Sequence, residues 1–340
     1  MDRAPRTTIA DVAREAGVHP STVSRALDPA GRHRISEDVA ARVVAAAERL
    51  GYRPSALAAG LRSGRSQTIG VLVPDLTNPV FPPIVQAIEA ALAAAGYVVL
   101  LAGTGGDAAR ERLLIERMAA QGADGLILAS AAAGTEAATL AARLGLPAVL
   151  VNRRLPGAAL PAVVSEDAAG MRLAVRHLVS LGHRQLAHLG GPRGVATAAD
   201  RLRGFRDALR EAGLAPAGVT AASAYTREAG REAVRALLAS ERFTALACAN
   251  DLLAVGALDA LREARLRVPR DVSLTGFNDM PLLDLLDPPL TTVRIQHAAM
   301  GEQAAGLLLG ALRGEAGAQR AIRLPPALVL RASTAPPTPP

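Results

Sequence analysis

The segment "GVHPSTVSRAL", residues 17–27, puts Ser21, Thr22, Ser24 and Arg25 on the outside of a short predicted helix and Val23, Ala26 and Leu27 on its inside. The outward set suits recognition: hydroxyls reach phosphates or base edges, and a guanidinium can fork onto O6 and N7 of guanine. Catalysis finds no comparable set. No Ser, His and Asp form a nucleophile elbow, no metal-ligand spacing occurs, and "GTGGD" at 103–107 lacks the lysine of a phosphate loop. His177, His183 and His188 are close in sequence, but "RHLVSLGHRQLAHLGG" passes through helix, turn and strand, which argues against a shared metal. No catalytic residue, metal or cofactor is expected.

Three predicted helices position the outward set. "TTIADVAREAG" begins with Thr8 and carries Asp11 three positions on, the pattern of a capping box, with Ile9, Val12 and Ala13 as its apolar face. Gly17 stops that helix in a positive-φ conformation. His19 is then the cap of the second helix, and Pro20 fits its first turn, where a missing N–H does no harm. "ISEDVAARVVAAAERLGY" supplies the third, with Ser36 as cap and Gly51 at its end. A helix, a turn and a second helix with polar residues at its start is how a helix-turn-helix enters the major groove. Taken alone, the pattern leaves DNA binding and a plain helical bundle both open.

The remaining chain is of another kind. At 340 residues it is too long for one ordinary core, and apolar residues make up 50% of it. Aromatics reach only 2%, so Phe81, Tyr225 and Phe277 are worth following. The net charge of +7 comes from arginine alone, because the chain has no lysine; it permits nucleic-acid binding without requiring it. One cysteine, Cys248, lies in the strand-like "FTALACAN" and reads as a buried structural thiol. A reducing compartment follows, and with no signal-like or membrane-spanning run the protein is expected to be soluble and cytoplasmic.

From Ile69 short apolar runs alternate with amphipathic helices: "IGVLV", "VVLLAG", "GLILAS" and "AVLVN" between "FPPIVQAIEAALAAAG", "ARERLLIERMAAQG" and "EAATLAARLG". A second series, with "QLAHLGG", "ALACAN" and "VSLTGF" as strands, follows residue 167. Such alternation predicts two α/β lobes of parallel strands flanked by helices, with a ligand cleft outside the strands' carboxyl ends.

Nine segments in order, among them "TIADVAREAGVHPSTVSRAL", "RLGYRPSALAAGL", "IGVLVPDLTNPVF", "RHLVSLGHRQLAHLGGP" and "VPRDVSLTGFND", make the chain resemble the LacI/GalR family of transcription regulators over residues 7 to 333. The resemblance implies an all-α helix-turn-helix headpiece at 1–53, a hinge helix and linker at 54–67, and a two-lobed domain like periplasmic binding proteins at 68–333. In that domain the N-lobe takes about 68–165 and 296–318, and the C-lobe about 166–291 and 319–333. Residues 334–340, "TAPPTPP", read as a disordered tail.

The resemblance implies base reading by Pro20, Ser21 and Arg25 beside the cap His19, and backbone contacts from Thr8, Thr22, Ser24, Tyr52 and Ser55. Pro20 departs from the usual side chains and cannot hydrogen-bond through its ring. "PSALAAGLRS" matches the hinge helix, where Ala58 lies on the weak apolar face and Leu61 matches a wedge into the minor groove. Gly60 weakens that helix by roughly 1 kcal/mol against Ala. Arg32, His33 and Arg34 form either a phosphate contact or a merely solvated loop.

At the cleft the resemblance points to Phe81, Asn152, Arg201, Tyr225, Asn250 and Asn278. The alternatives are that Phe81 is lobe core, Arg201 an interlobe ion pair and Tyr225 a surface aromatic. Asp251 is expected to cap the following helix rather than touch ligand. Asn278 stands where the family often has Asp, which weighs against a cationic ligand. The implied protein is a homodimeric repressor on a near-palindromic double-stranded operator, controlled by a carbohydrate or sugar derivative, or by a purine. A solute-binding protein of the same two-lobed shape is the reading from another class.

Overall fold

The computed structural model describes residues 7–27, 34–52, 65–131, 136–155, 157, 159–315 and 321–338. The chain divides into two compact units, 1–66 and 67–340. Ser55, Ala58 and Leu61, with the rest of the hinge to residue 64, and Arg32 and His33 of the basic loop lie outside the described residues.

In the first unit, α1 (Ile9–Ala16), α2 (Pro20–Ala26) and α3 (Glu37–Arg49) close around Val12, Ala13, Val23, Ala26, Val43 and Ala46. Thr8 and Asp11 form the capping box in both directions: the Thr8 N–H donates to Asp11 Oδ2 at 2.9 Å, and the Asp11 N–H to Thr8 Oγ1 at 3.4 Å. Gly17 ends α1 at φ 66°. His19 caps α2 by accepting the Ser21 N–H at 3.2 Å. Ser36 sits at the start of α3 without a side-chain cap bond.

The second unit holds two parallel sheets. The larger runs β11-β5-β4-β3-β1-β2, where β1 is Thr68–Val73, β2 Val98–Gly103, β3 Gly125–Leu128, β4 Ala148–Val151, β5 Ala162–Ser165 and β11 Ala321–Leu324. Helices α4 (Phe81–Ala94) and α11 (His297–Leu312) pack together beside it, over Ile84, Ile88, Met300 and Leu308. A Cβ at Gly301 would collide with the Ile84 carbonyl, so only glycine lets these two helices approach so closely. On another side of this sheet, α5 (Ala108–Ala120) and α6 (Ala137–Arg143) cover Leu72, Leu126 and Leu128.

The smaller sheet runs β7-β6-β8-β9: β6 is Leu186–Gly190, β7 Gly218–Ala221, β8 Ala245–Cys248 and β9 Ser273–Thr275. It carries the paired helices α7 (Asp167–Ser180) and α8 (Ala196–Glu211), and the pair α9 (Arg227–Ser240) and α10 (Asp251–Glu263). Gly204 of α8 lies against the Ala168 backbone of α7, where a Cβ has no room. Cys248 is buried, and burial raises its thiol well above the ordinary range.

Two expectations need correction. Residues Ala321–Leu324 belong to the larger sheet, pairing in parallel with Ala162–Ser165, rather than to the C-lobe. Only after them does the chain return, as β12 (Ala327–Val329) antiparallel to β10 (Thr292–Arg294). The chain therefore crosses between lobes three times, near residues 166, 296 and 325. The Pro-rich tail is also ordered through residue 338. His183 Nε2 and Ser273 Oγ both reach the Ala335 carbonyl at 2.9 Å, the Ala335 N–H donates to Ser273 Oγ at 3.0 Å, and Thr338 Oγ1 donates to the Arg270 carbonyl at 2.8 Å. Its proline-rich composition predicted disorder, but a short segment tied down by several hydrogen bonds to the lobe needs no core of its own.

Candidate functional site

On the headpiece, the inside of α2 is fixed by burial of Val23 and Ala26, which leaves Ser21 and Arg25 exposed and Thr22 and Ser24 half-buried. Pro20 holds the first turn. The Ser21 hydroxyl is 2.8 Å from His19 Nδ1, so cap and candidate base reader form one unit. Thr8 has its hydroxyl committed to Asp11 at 2.7 Å, and Tyr52 is half-buried against the headpiece core. Thr8 thus belongs to the cap of α1, and Tyr52 to the packing of the headpiece core.

In the second unit a cavity of about 640 Å³ lies at the carboxyl ends of both sheets. Asp75 and Asn78 follow β1, Thr104 follows β2, Ser130 follows β3 and Arg153 follows β4; from the other lobe Arg193 follows β6 and Tyr225 follows β7. Strand ends leave their loops open to a ligand, as open α/β sheets generally do. Arg153 is only 9% exposed, and burial pulls its guanidinium below the ordinary range. Its hydrogen bond is to the Ser130 carbonyl at 3.2 Å, and no carboxylate among the described residues lies within ion-pair distance. Glu111, also buried, accepts the Ser130 hydroxyl. The walls thus combine a buried cation, a buried acid, hydroxyls and one phenol. The Tyr225 ring occupies the space a Cβ at Gly191 would need, and its hydroxyl lies 3.3 Å from Thr197 Oγ1.

Of the six expected cleft residues, Tyr225 alone lines this cavity. Phe81 is 3% exposed within the apolar core, the alternative the sequence had left open. Asn152, at φ 63°, lines a second, smaller cavity. Arg201, Asn250 and Asn278 are all buried, and Arg201 and Asn278 share one hydrogen-bonded cluster. Arg201 binds Asp167 through Nε at 2.8 Å and Nη2 at 2.7 Å, and Asn278 Oδ1 through Nη2 at 3.2 Å. It also donates to the Ala249 carbonyl through Nη1 at 2.5 Å, and its guanidinium rests 3.8 Å above the Phe277 ring. Burial raises the Asp167 carboxyl even with Arg201 beside it.

Arg201 is not an interlobe pair, since α7 and α8 share a lobe; among the described residues the ion pair that joins the lobes is Arg154 to Asp200, doubly made at 2.8 and 3.2 Å. Asn250 caps α10, accepting the Leu253 N–H at 2.9 Å. Asp251, expected as that cap, instead accepts the Met280 N–H at 3.0 Å and the Thr292 hydroxyl at 2.5 Å, and burial pushes it up to about 6. The cap residue is the one with extended backbone, and that is Asn250.

Sequence reasoning passed over Arg153, Glu111, Ser130 and Arg193. Arg153 had a signal: it follows Asn152 directly at the end of "AVLVN". Glu111 had none, because in "ARERLLIERM" it reads as one acid among many on a solvated helix face.

Residues 8–55 match the bacterial regulatory proteins of the lacI family, and residues 175–334 match a periplasmic binding protein-like domain. The HTH-type transcriptional regulator MalR of Streptomyces coelicolor is 38% identical over 343 residues, which cover 97% of each chain. This chain belongs to the lacI family. Its fold is that of the family, a helix-turn-helix headpiece joined to a two-lobed domain of parallel sheets. A lac repressor dimer bound to operator and the anti-inducer ONPF superposes with a TM-score of 0.87 at 28% identity, covering 97% of this chain and 100% of that one. The transcriptional regulator CelR in complex with cellobiose superposes at 0.74 with 29% identity, covering 96% and 100%. No helix among the described residues of this lacI-family protein is long and apolar enough to cross a membrane.

Proposed function

We propose that this protein is a transcriptional repressor that grips a near-palindromic operator as a homodimer and releases it when a sugar or sugar derivative enters the interlobe cleft. One observation carries the reading: a single chain joins an outward-facing α2 bearing Ser21 and Arg25 to a polar cavity of about 640 Å³ at strand ends. Arg25 reads a guanine, Ser21 and Pro20 meet neighbouring base edges, and Thr22 and Ser24 steady the helix on phosphates. In the cleft, Tyr225 stacks on the ring while Arg153, Glu111 and Asn78 bind hydroxyls, the division of labour expected of a polyhydroxylated guest. The guest changes the angle between lobes, which Arg154 and Asp200 bridge, and so alters the spacing of the paired headpieces. The effector is bound without turnover, and the protein works where its DNA is, in the cytoplasm.

A gel shift with genomic fragments tests this directly, run with and without cellobiose, maltose, ribose and a purine. The expected result is a sequence-selective complex at physiological salt that one of the sugars dissociates. Release by the purine alone would move the effector to that class. No selective complex on any fragment would sink the repressor and favour a solute-binding protein, and steady consumption of a bound compound would favour an enzyme.

A further inference from the structure

A second cavity, of about 240 Å³, is lined by Ser165 and Glu166 at the first lobe crossing and by Arg323 near the third. It is distinct from the cleft: Asn152 and Arg154 line it, whereas Arg153 between them lines the larger space. Its size falls below the range of about 300–1,000 Å³ usual for drug-sized ligands, so it suits a small group.

Its chemistry is cationic. Arg154 and Arg203 reach it but share one carboxylate, Asp200, each at 2.8 Å. Arg172 and Arg323 also line it, and neither has a carboxylate within ion-pair distance among the described residues. Of the remaining acids on the wall, Asp167 is taken by Arg201, which leaves Glu166. Two long helices, α7 and α8, begin at this wall, contributing Ala168 and Ala169 from one and Ala196 and Thr197 from the other. Neither start has a side-chain cap. Both helix dipoles therefore turn their positive ends, with first-turn N–H groups, towards the same space.

An independent observation points to a missing ligand. Ser165 lines the cavity, is 4% exposed, and its buried Oγ has no hydrogen-bond partner among the described residues. Buried hydroxyls are ordinarily satisfied, and one left alone is costly. A guest that accepts from this hydroxyl, from guanidiniums and from helix N-termini together is a tetrahedral oxyanion, because it presents several acceptor oxygens in different directions. We propose that this cavity binds a phosphate group, free or carried by a small metabolite, through Arg172, Arg323, the Ser165 hydroxyl and the open first turns of α7 and α8. An anion here also competes with Asp200 for Arg154, which couples its binding to the bond between lobes.

The test is isothermal titration of inorganic phosphate, and separately of glycerol 3-phosphate, into the full-length protein without DNA or sugar, with ionic strength held constant by chloride. Saturable binding at one site per chain is expected. The Arg172→Ala, Arg323→Ala double variant should weaken it at least about tenfold, the loss expected for charge-assisted hydrogen bonds. Ser165→Ala should weaken it a few-fold, with circular dichroism and unfolding midpoint in phosphate-free buffer unchanged for both variants. Tighter binding of the ester would identify a metabolite's phosphate, and equal binding the free ion. Absence of saturable heat, or a folded double variant that binds as the parent does, would overturn the proposal. Since no DNA or sugar is present, such a failure leaves the repressor reading standing.

Discussion

Arg153 and Arg201 are both buried guanidiniums, in opposite circumstances. Arg201 gives its donors to Asp167, Ala249 and Asn278 and lies flat on Phe277. Arg153 has the Ser130 carbonyl and a cavity in front of it. A buried charge is tolerable when acceptors surround it; one with few acceptors is held in place by the rest of the fold and gains when a guest supplies them. The difference separates a residue whose donors are all taken within its own lobe from one that faces a cavity, although the family resemblance pointed to Arg201 for ligand and sequence reasoning passed over Arg153.

The largest expected effect tests the first half of that contrast. Arg201→Ala strands Asp167 in the interior and should lower unfolding stability by about 3–5 kcal/mol, read by urea denaturation at neutral pH. Adding Asp167→Asn should recover part of the loss. If Arg201→Ala costs no more than an exposed substitution, the closed cluster is not what holds α7 to α8.

Asp251 sharpens the comparison, being a buried acid held by neutral donors. Its folded value of about 6 lies above the roughly 3.9 of an unfolded chain, so the folded state binds the proton more tightly. The stability this supplies is complete below about pH 4 and is lost as pH rises through 6. Asp251→Asn should therefore gain on the parent across that window, by on the order of 3 kcal/mol, in parallel denaturation curves from pH 4 to 7. His188, lowered by burial to about 4, titrates in the same range but is common to both proteins and drops out of the difference. A constant gap between the curves would refute the assignment.

The smallest effect on folding is expected at Arg153. Arg153→Ala removes a buried charge without stranding a paired acid, so stability should stay within about 1 kcal/mol of the parent. Effector affinity should drop at least about tenfold, corresponding to one charge-assisted contact. Thermal-shift titration with the sugar found by the gel shift measures both. Lost stability with retained affinity would exchange the roles of the two arginines.

Much of this architecture is legible in the chain itself. Thr8 with Asp11, Gly17, and Pro20 after His19 are local signals, decided within a few residues, and each governs the conformation it announces. The alternation of apolar runs and helices likewise fixes the two sheets. The site was less legible because burial there is tertiary: whether Arg201 faces a void or a carbonyl depends on Ala249 and Asn278, 48 and 77 residues away. The return of Ala321–Leu324 to the first sheet is equally nonlocal, since its partner is Ala162–Ser165. Pairing of that kind leaves no periodic trace.

The three passages between lobes are laced to one another: the Glu166 N–H donates to the Leu324 carbonyl at 3.0 Å, and the Gln296 amide to the Pro325 carbonyl at 2.8 Å. Like a door hung on three pins, the lobes can swing about that seam without stretching the chain, whereas sliding or pulling apart would strain a pin. Mutations in the seam should thus alter the freedom of the swing before they alter what either leaf can grip.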